Sequence, residues 1–286
     1  MCTVTWQRRE GGYLLLCNRD EKRSRKPAIG PRSFSQDGVR FIAPRDGDFG
    51  GSWISTNQFG VSLCLLNAYP ERAPAGSETG DGAPYRSRGL LLFDLAACPS
   101  RNAIADGLAL KYLPAYGPFT LLALEPGQPA LVIDWNGKTL KADRNAGYRM
   151  PLTSSSVANA AAAAARTHDF FHRGAYTRNA DFAALLGFHA SHNPAKGAHS
   201  ACMHRADAET VSLSMISVGP GATHFWYHPA PPCQDATLES ATLARDTTPS
   251  RTHQPTNPAT RLRNPMALPH QAPPPLQPAA GLGLRG

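Results

Sequence analysis

The sequence has no uninterrupted apolar stretch approaching the roughly 20 residues that a helix needs to span a bilayer. It also lacks a cationic opening segment followed by an apolar one, the pattern of a secretory leader. Charge of one sign is not gathered anywhere into a stripe. The 29 Lys and Arg outnumber the 21 Asp and Glu to give a net +8, but the two signs are interspersed, which argues against a groove for nucleic acid. Cysteine is sparse, with six in 286 residues, in a chain long and apolar enough not to need disulfide staples. A glycine-rich phosphate loop is missing too, because Gly219-Pro220-Gly221 reads as a turn between strands. These absences predict a cytoplasmic protein in a reducing compartment, with no transmembrane segment and no specific nucleic-acid partner.

What is present is a 42% hydrophobic chain able to bury a substantial core. From Gln234 onward Thr, Ser, Arg, Ala and Pro dominate, as in Pro273-Pro274-Pro275, without periodic hydrophobes. The expected organisation is therefore a folded domain over 1–233 and a disordered Pro-rich tail over 234–286. Alternation around Val4 and Trp6, a Gly11-Gly12 turn and the apolar run Tyr13 to Cys17 predict an opening hairpin. Ser52 to Thr56 and Val61 to Asn67 predict a second. Two helices follow, over Arg88 to Cys98 and from a Ser100 cap to Tyr112. Strands return at 119–124, 130–135 and 139–142, helices at 160–171 and 181–188, and strands at 211–218 and 224–227. Blocks of strands and helices in this order suit stacked sheets covered by helix pairs, an α+β architecture, better than a doubly wound βαβ sheet.

Cysteine in second position has a chemical consequence. A small side chain after Met1 permits removal of the initiator methionine, leaving one residue with both a thiol and a free α-amine. The amine has a pKa near 8 and the thiol near 8.5, so a modest depression of either yields a thiolate or a neutral base. Hairpin geometry pairs position 2 with 19, 20 or 21, which are Arg19, Asp20 and Glu21. An acid there can hold the ammonium, and Arg19 can lower the thiol pKa or bind a substrate carboxylate. On the residues alone, Cys2 reads more readily as a buried apolar side chain and Arg19-Asp20 as an ordinary strand-end ion pair.

Five motifs occur in order: Met1-Cys2-Thr3, Asn18-Arg19-Asp20-Glu21, Gly50-Gly51-Ser52-Trp53-Ile54, Leu66-Asn67-Ala68-Tyr69 and Ser87-Arg88-Gly89. Together they resemble the NRDE family, also called the transport and Golgi organisation protein 2 family, over roughly the first 230 residues and most closely in the first 95. That family is similar to cysteine N-terminal-nucleophile hydrolases such as bile-salt hydrolases and penicillin V acylases. The resemblance implies a four-layer αββα sandwich with Cys2 as nucleophile, Arg19 and Asp20 beside it, and Asn67 donating to the oxyanion. A preorganised donor of that kind is worth ~3 kcal/mol. Asn18, Glu21 and Arg205 are the expected substrate contacts. A later asparagine of the hydrolases has no counterpart in Thr153-Ser154-Ser155-Ser156, where only hydroxyls are offered.

The implied activity is hydrolysis of a non-peptide C–N bond, or acyl transfer, on a small amide or thioester. The alternative is a non-catalytic carrier of an amphipathic ligand, haem or an acyl-CoA-like lipid, in the same cleft. No resident cofactor and no metal are expected. His168 and His172 copy a zinc-protease spacing with Asp in place of Glu and no third ligand. The loose spacing of His189, His192, His199 and His204 predicts surface histidines. Cys98-Pro99 is weighed as a haem ligand against a simple helix stop. The basic run Lys22, Arg23, Arg25 and Lys26 is weighed as an anion site against a solvated loop.

Overall fold

The computed structural model describes residues 2–69, 84–175 and 182–247. The chain opens with β1 (Cys2–Arg9) and β2 (Gly12–Lys22), joined at Gly11 with φ +69°, a conformation that glycine adopts without strain. Next come β3 (Ile29–Gln36) and β4 (Val39–Arg45), then β5 (Ile54–Asn57) and β6 (Ser62–Asn67). Helices α1 (Arg88–Leu95) and α2 (Arg101–Ala109) follow; Ser100 Oγ caps α2 by accepting from Ala103 N at 3.1 Å. Strands β7 (Phe119–Leu124), β8 (Leu131–Trp135), β9 (Leu140–Asp143) and β10 (Leu152–Ser154) lead to α3 (Asn159–His172) and α4 (Phe182–His189). The described chain ends with β11 (Ala208–Val218), β12 (Ala222–His228) and β13 (Glu239–Ala244).

The strands form two antiparallel sheets, one ordered β10-β1-β2-β11-β12-β13 and the other β3-β4-β5-β6-β7-β8-β9. Alternation along β2 divides its side chains between two cores. Tyr13, Leu15 and Cys17 join Val4, Ile54, Cys64 and Leu122 in a cluster drawn from both sheets. Leu14 and Leu16 instead pack with Phe170 of α3 and with Leu185 and Phe188 of α4. On the second sheet, Leu63 and Leu121 pack with Leu91, Leu92, Ile104 and Leu108 of α1 and α2. Each fully buried aliphatic side chain in these clusters contributes roughly 1.5–3 kcal/mol relative to exposure. No helix among the described residues is long and apolar enough to cross a membrane.

Two departures from the sequence expectations have physical causes. The hairpin β3–β4 goes unforeseen because β3, Ile-Gly-Pro-Arg-Ser-Phe-Ser-Gln, holds the sheet edge, where Pro31 and polar residues are tolerated and apolar alternation is not needed. The boundary at 233/234 falls too early: Glu239–Ala244 pairs with β12, Phe225 opposite Ala241, as an edge strand that buries little besides Leu243. The remainder of the expected tail, from 248, lies outside the described residues.

Candidate functional site

Register in the opening hairpin places Cys2 directly opposite Arg19, and on its other side β1 pairs Cys2 with Ser154 of β10. The backbone N–H of Cys2 donates to Ser154 Oγ at 3.2 Å. The hydroxyl-rich segment that stands where an amide was missed therefore touches the candidate nucleophile directly. Cys2 lies at the wall of a cleft of about 570 Å³ whose lining includes Arg19, Glu21, Asp46, Trp53, Asn67, Arg86 and Arg88. Asn67 ends β6 and also lines an adjoining smaller cleft with Thr153, Ser154 and Asn159. Asn67 Nδ2 lies 3.4 Å from the Tyr69 hydroxyl.

The Cys2 thiol is not prepared as a thiolate by its neighbours. Its hydrogen bond to Cys17, followed by burial, pushes its pKa well above the ordinary thiol value. Cys17 in turn lies 3.5 Å from Cys64, so three thiols line up between the sheets. Arg19, the expected activator, is engaged elsewhere: Nη2 bonds Asp46 at 2.5 Å and Glu21 at 3.4 Å, and the guanidinium stacks over Trp53 at 4.4 Å. Asp46 feels opposing influences. Burial pushes its carboxyl up, but the Phe49 N–H and the cations Arg19 and Arg25 outweigh it and leave the pKa below the usual range.

Asp20 also borders the cleft, but strand alternation turns its carboxylate to the opposite face of β2 from Arg19. There Oδ1 accepts from Thr210 Oγ1 at 2.7 Å and Oδ2 lies 3.5 Å from Arg166. Glu21 lines the cleft as expected. Two expected contacts do not. Asn18 is fully buried, its amide donating to the carbonyls of His189 and Ala201 at 2.8 Å each, so it braces a loop and lines neither cleft. Arg205 is bound to Asp207 at 2.5 and 2.9 Å and reaches Ser156 at 3.3 Å, again away from both clefts.

Other residues belong here that sequence reasoning passed over as site residues. Arg88 lines the cleft, donates to Pro118 O at 2.8 Å and has its pKa lowered chiefly by burial. Arg86 stacks on Tyr116 at 5.6 Å. Among the described residues neither has a carboxylate within ion-pair distance, whereas Arg25 is bound to Asp46 and Asp48 and Arg23 to Glu209. Two of the four cations of the basic run, Arg23 and Arg25, are thus paired with acids from other segments, whereas Arg86 and Arg88 at the start of α1 have no direct ion-pair partner among the described residues. The Trp53 indole N–H also finds no acceptor among the described residues. Asn159 lines the smaller cleft, with Oδ1 accepting from Ser155 N at 2.8 Å. Of these, only Arg88, in the Ser87-Arg88-Gly89 motif, and Trp53, in the Gly50-Gly51-Ser52-Trp53-Ile54 motif, were signalled in advance.

The Transport and Golgi organisation 2 family profile matches residues 1–162. The chain belongs to this family. No curated protein matches it. Among solved structures, it is similar to a mutant of the conjugated bile acid hydrolase from Clostridium perfringens, at 11% identity and TM-score 0.51 over 84% of this chain and 92% of that one. It is also similar to the Caenorhabditis elegans orthologue of N-acylethanolamine-hydrolyzing acid amidase, at 12% identity and TM-score 0.50 over 76% and 92%. At such identities the likeness is one of fold, the N-terminal-nucleophile hydrolase fold, built here from two antiparallel sheets and helices.

Cys98 packs beside the cluster of α1 and α2, its carbonyl accepting from Asn57 Nδ2 at 2.8 Å, and lines neither cleft, in keeping with the helix stop against which a ligand role was weighed. One further expectation is corrected. Of the expected surface histidines, His189 is fully buried, with Nε2 2.8 Å from Thr5 Oγ1 and Nδ1 3.0 Å from Asn18 Oδ1.

Proposed function

We propose that the chain is a cysteine N-terminal-nucleophile amidohydrolase or acyltransferase, its helices and sheets layered αββα, acting on a small amide or thioester. The observation that carries this reading is the placement of Cys2 on the wall of a cleft that Asn67 also lines, with Arg19 across the strand pair. Because the thiol pKa is raised, the proton must be taken by a local base, and the α-amine of Cys2 after loss of Met1 is that base. Sulfur then bonds to the acyl carbon, Asn67 and a backbone N–H hold the oxyanion, and the departing amine or thiol takes the proton as its bond to carbon breaks. Water or a second amine cleaves the resulting thioester. Conjugates of a carboxylic acid with an amine, the type of compound named in the two structural relatives, make the first substrate panel, and Arg86 and Arg88 suit members with an anionic end.

Intact mass should show loss of Met1, and Cys2 should be alkylated faster than the fully buried Cys17 and Cys64. Cys2→Ser should abolish turnover with the fold intact. Retention of Met1, or alkylation of Cys2 no faster than the other two, overturns the nucleophile.

The raised thiol pKa and the paired state of Arg19 favour one second reading, a carrier of haem or an acyl-CoA-like lipid. In it Arg86 and Arg88 would meet the ligand's carboxylates or phosphates, and Trp53, Leu65 and Tyr69 its apolar body. A saturable Soret shift on haem titration, lost in Arg88→Met, is its expected signature; no saturable shift removes haem as the ligand.

A further inference from the structure

Away from both clefts, four side chains from three separate segments converge: His192 in the loop after α4, Cys202 and His204 on the approach to β11, and Cys233 after β12. One ligand atom from each lies within 4.8 Å of all the others. His204 Nε2 is 3.4 Å from Cys202 Sγ and 3.4 Å from Cys233 Sγ. In a tetrahedral zinc site, bond lengths of about 2.0–2.3 Å put ligand atoms roughly 3.3–3.8 Å apart, so these separations already match. The ring of His192 stands 5.1 Å from that of His204, and its Nε2, shielded from water, has no hydrogen-bond partner among the described residues.

We propose that His192, Cys202, His204 and Cys233 form a structural zinc site. The donor set decides the metal class: two thiolates and two imidazoles gathered within 4.8 Å of one another select zinc over hard cations that want oxygen. All four positions are filled by protein, which leaves no open position for substrate and makes the role structural. The second nitrogen of His204, Nδ1, faces Glu209 at 3.8 Å, the kind of outer carboxylate that fixes the ring orientation of a ligating histidine. Binding displaces the two thiol protons to solvent and adds a cross-link to loops already joined by hydrogen bonds such as Cys202 N to Ser191 O at 2.9 Å. Met203, between two ligands, donates from its backbone N to Thr210 Oγ1 at 2.8 Å, and Thr210 donates to Asp20 at 2.7 Å. The metal is thereby coupled to the motif that flanks Cys2, whether or not Cys2 is a nucleophile.

The test uses untagged full-length protein, purified with reductant and zinc and then dialysed. Elemental analysis should find one equivalent of zinc. Cys233→Ser, an exposed position whose change spares the core, and His192→Ala should each reduce it to less than a tenth, while His199→Ala and Cys98→Ser keep it. Cobalt(II) added to metal-stripped wild type should give the absorption of a tetrahedral thiolate complex, lost in Cys233→Ser. Three results overturn the site: reduced wild type that holds neither zinc nor tetrahedral cobalt, Cys233→Ser that retains the full equivalent, or a Cys202–Cys233 disulfide in protein alkylated at lysis.

Discussion

Arg166 and Asp20 approach to 3.5 Å with neither side chain exposed to solvent. Arg166 also donates to Thr3 Oγ1 at 2.8 Å and Thr153 Oγ1 at 2.9 Å, so one guanidinium ties β1, β2 and β10 together behind Cys2. Removing either partner leaves an uncompensated buried charge, which costs roughly 3–5 kcal/mol. Asp20→Ala and Arg166→Ala should each lower the unfolding free energy obtained from urea titration by that amount, and the double variant by less than the sum. Single losses below about 1 kcal/mol would contradict the pairing.

His189 supplies a pH dependence. Asn18 donates through its amide to two carbonyls, so its oxygen accepts from His189 Nδ1–H, and Nε2 accepts from Thr5 Oγ1. Burial pushes the His189 pKa down to about 3. The folded protein keeps this ring neutral while the unfolded chain protonates near pH 6.5, so stability is full above that value and falls as pH drops toward about 3. The slope from this group is about 1.4 kcal/mol per pH unit. Denaturant midpoints at pH 7 and pH 5 should differ accordingly in wild type, and the difference should shrink in His189→Gln.

Asp46 acts in a lower window. Its folded pKa is depressed by the Phe49 N–H and by Arg19 and Arg25 despite an opposing push from burial, so its contribution is present above the unfolded value near 3.9 and is lost as pH falls through the folded one. The stability gap between wild type and Asp46→Asn should therefore close on acidification below about pH 4. A gap that stays constant from pH 6 to pH 3 would assign the effect of the substitution to packing.

Much of the site was legible because it is local. The hairpin turn at Gly11 sets the register, and register alone puts Arg19 opposite Cys2. Strand period then sends Asp20 to the other face, a consequence that turn counting does not reveal unless both faces are known to be buried. Asn18 misled for the same reason: a polar residue in a charged run looks exposed, yet here it satisfies a carbonyl at the end of α4 and one in the loop before β11. Edge strands β3 and β13 were illegible because an edge that faces water on one side needs little apolar alternation. The converging histidines and cysteines were illegible because Cys233 joins His204 across β11 and β12, a contact that spacing along the chain does not encode.

Under the amidase reading, Arg88 separates binding from chemistry. It lines the cleft with no carboxylate partner among the described residues, so an anionic substrate end gains a charge-assisted hydrogen bond worth roughly 1.5–3 kcal/mol. Arg88→Met should raise KM for acyl substrates with a free carboxylate by about 10–100-fold while leaving kcat within about twofold. Neutral analogues should show no such change, and an equal rise in KM for both classes would remove Arg88 from anion recognition.

Gly51 and Gly89 come from two separate motifs and meet back to back. Ser52 N donates to Gly89 O at 3.0 Å, and a Cβ on Gly51 would stand 2.3 Å from the Gly89 carbonyl carbon and 2.6 Å from Leu90 N. Backbone atoms on both sides leave no flexible side chain to yield, so Gly51→Ala should cost about 1–3 kcal/mol by overpacking. The same shift separates Trp53 from the start of α1, and with it Arg88, across the cleft that both line. Gly147→Ala is the control, since nothing lies within 4 Å of the Cβ it would add. Thermal unfolding and the alkylation rate of Cys2 should both change in Gly51→Ala and stay at wild-type values in Gly147→Ala. If Gly51→Ala lowers stability but leaves Cys2 labelling unchanged, the close approach serves packing alone and does not set the width of the cleft.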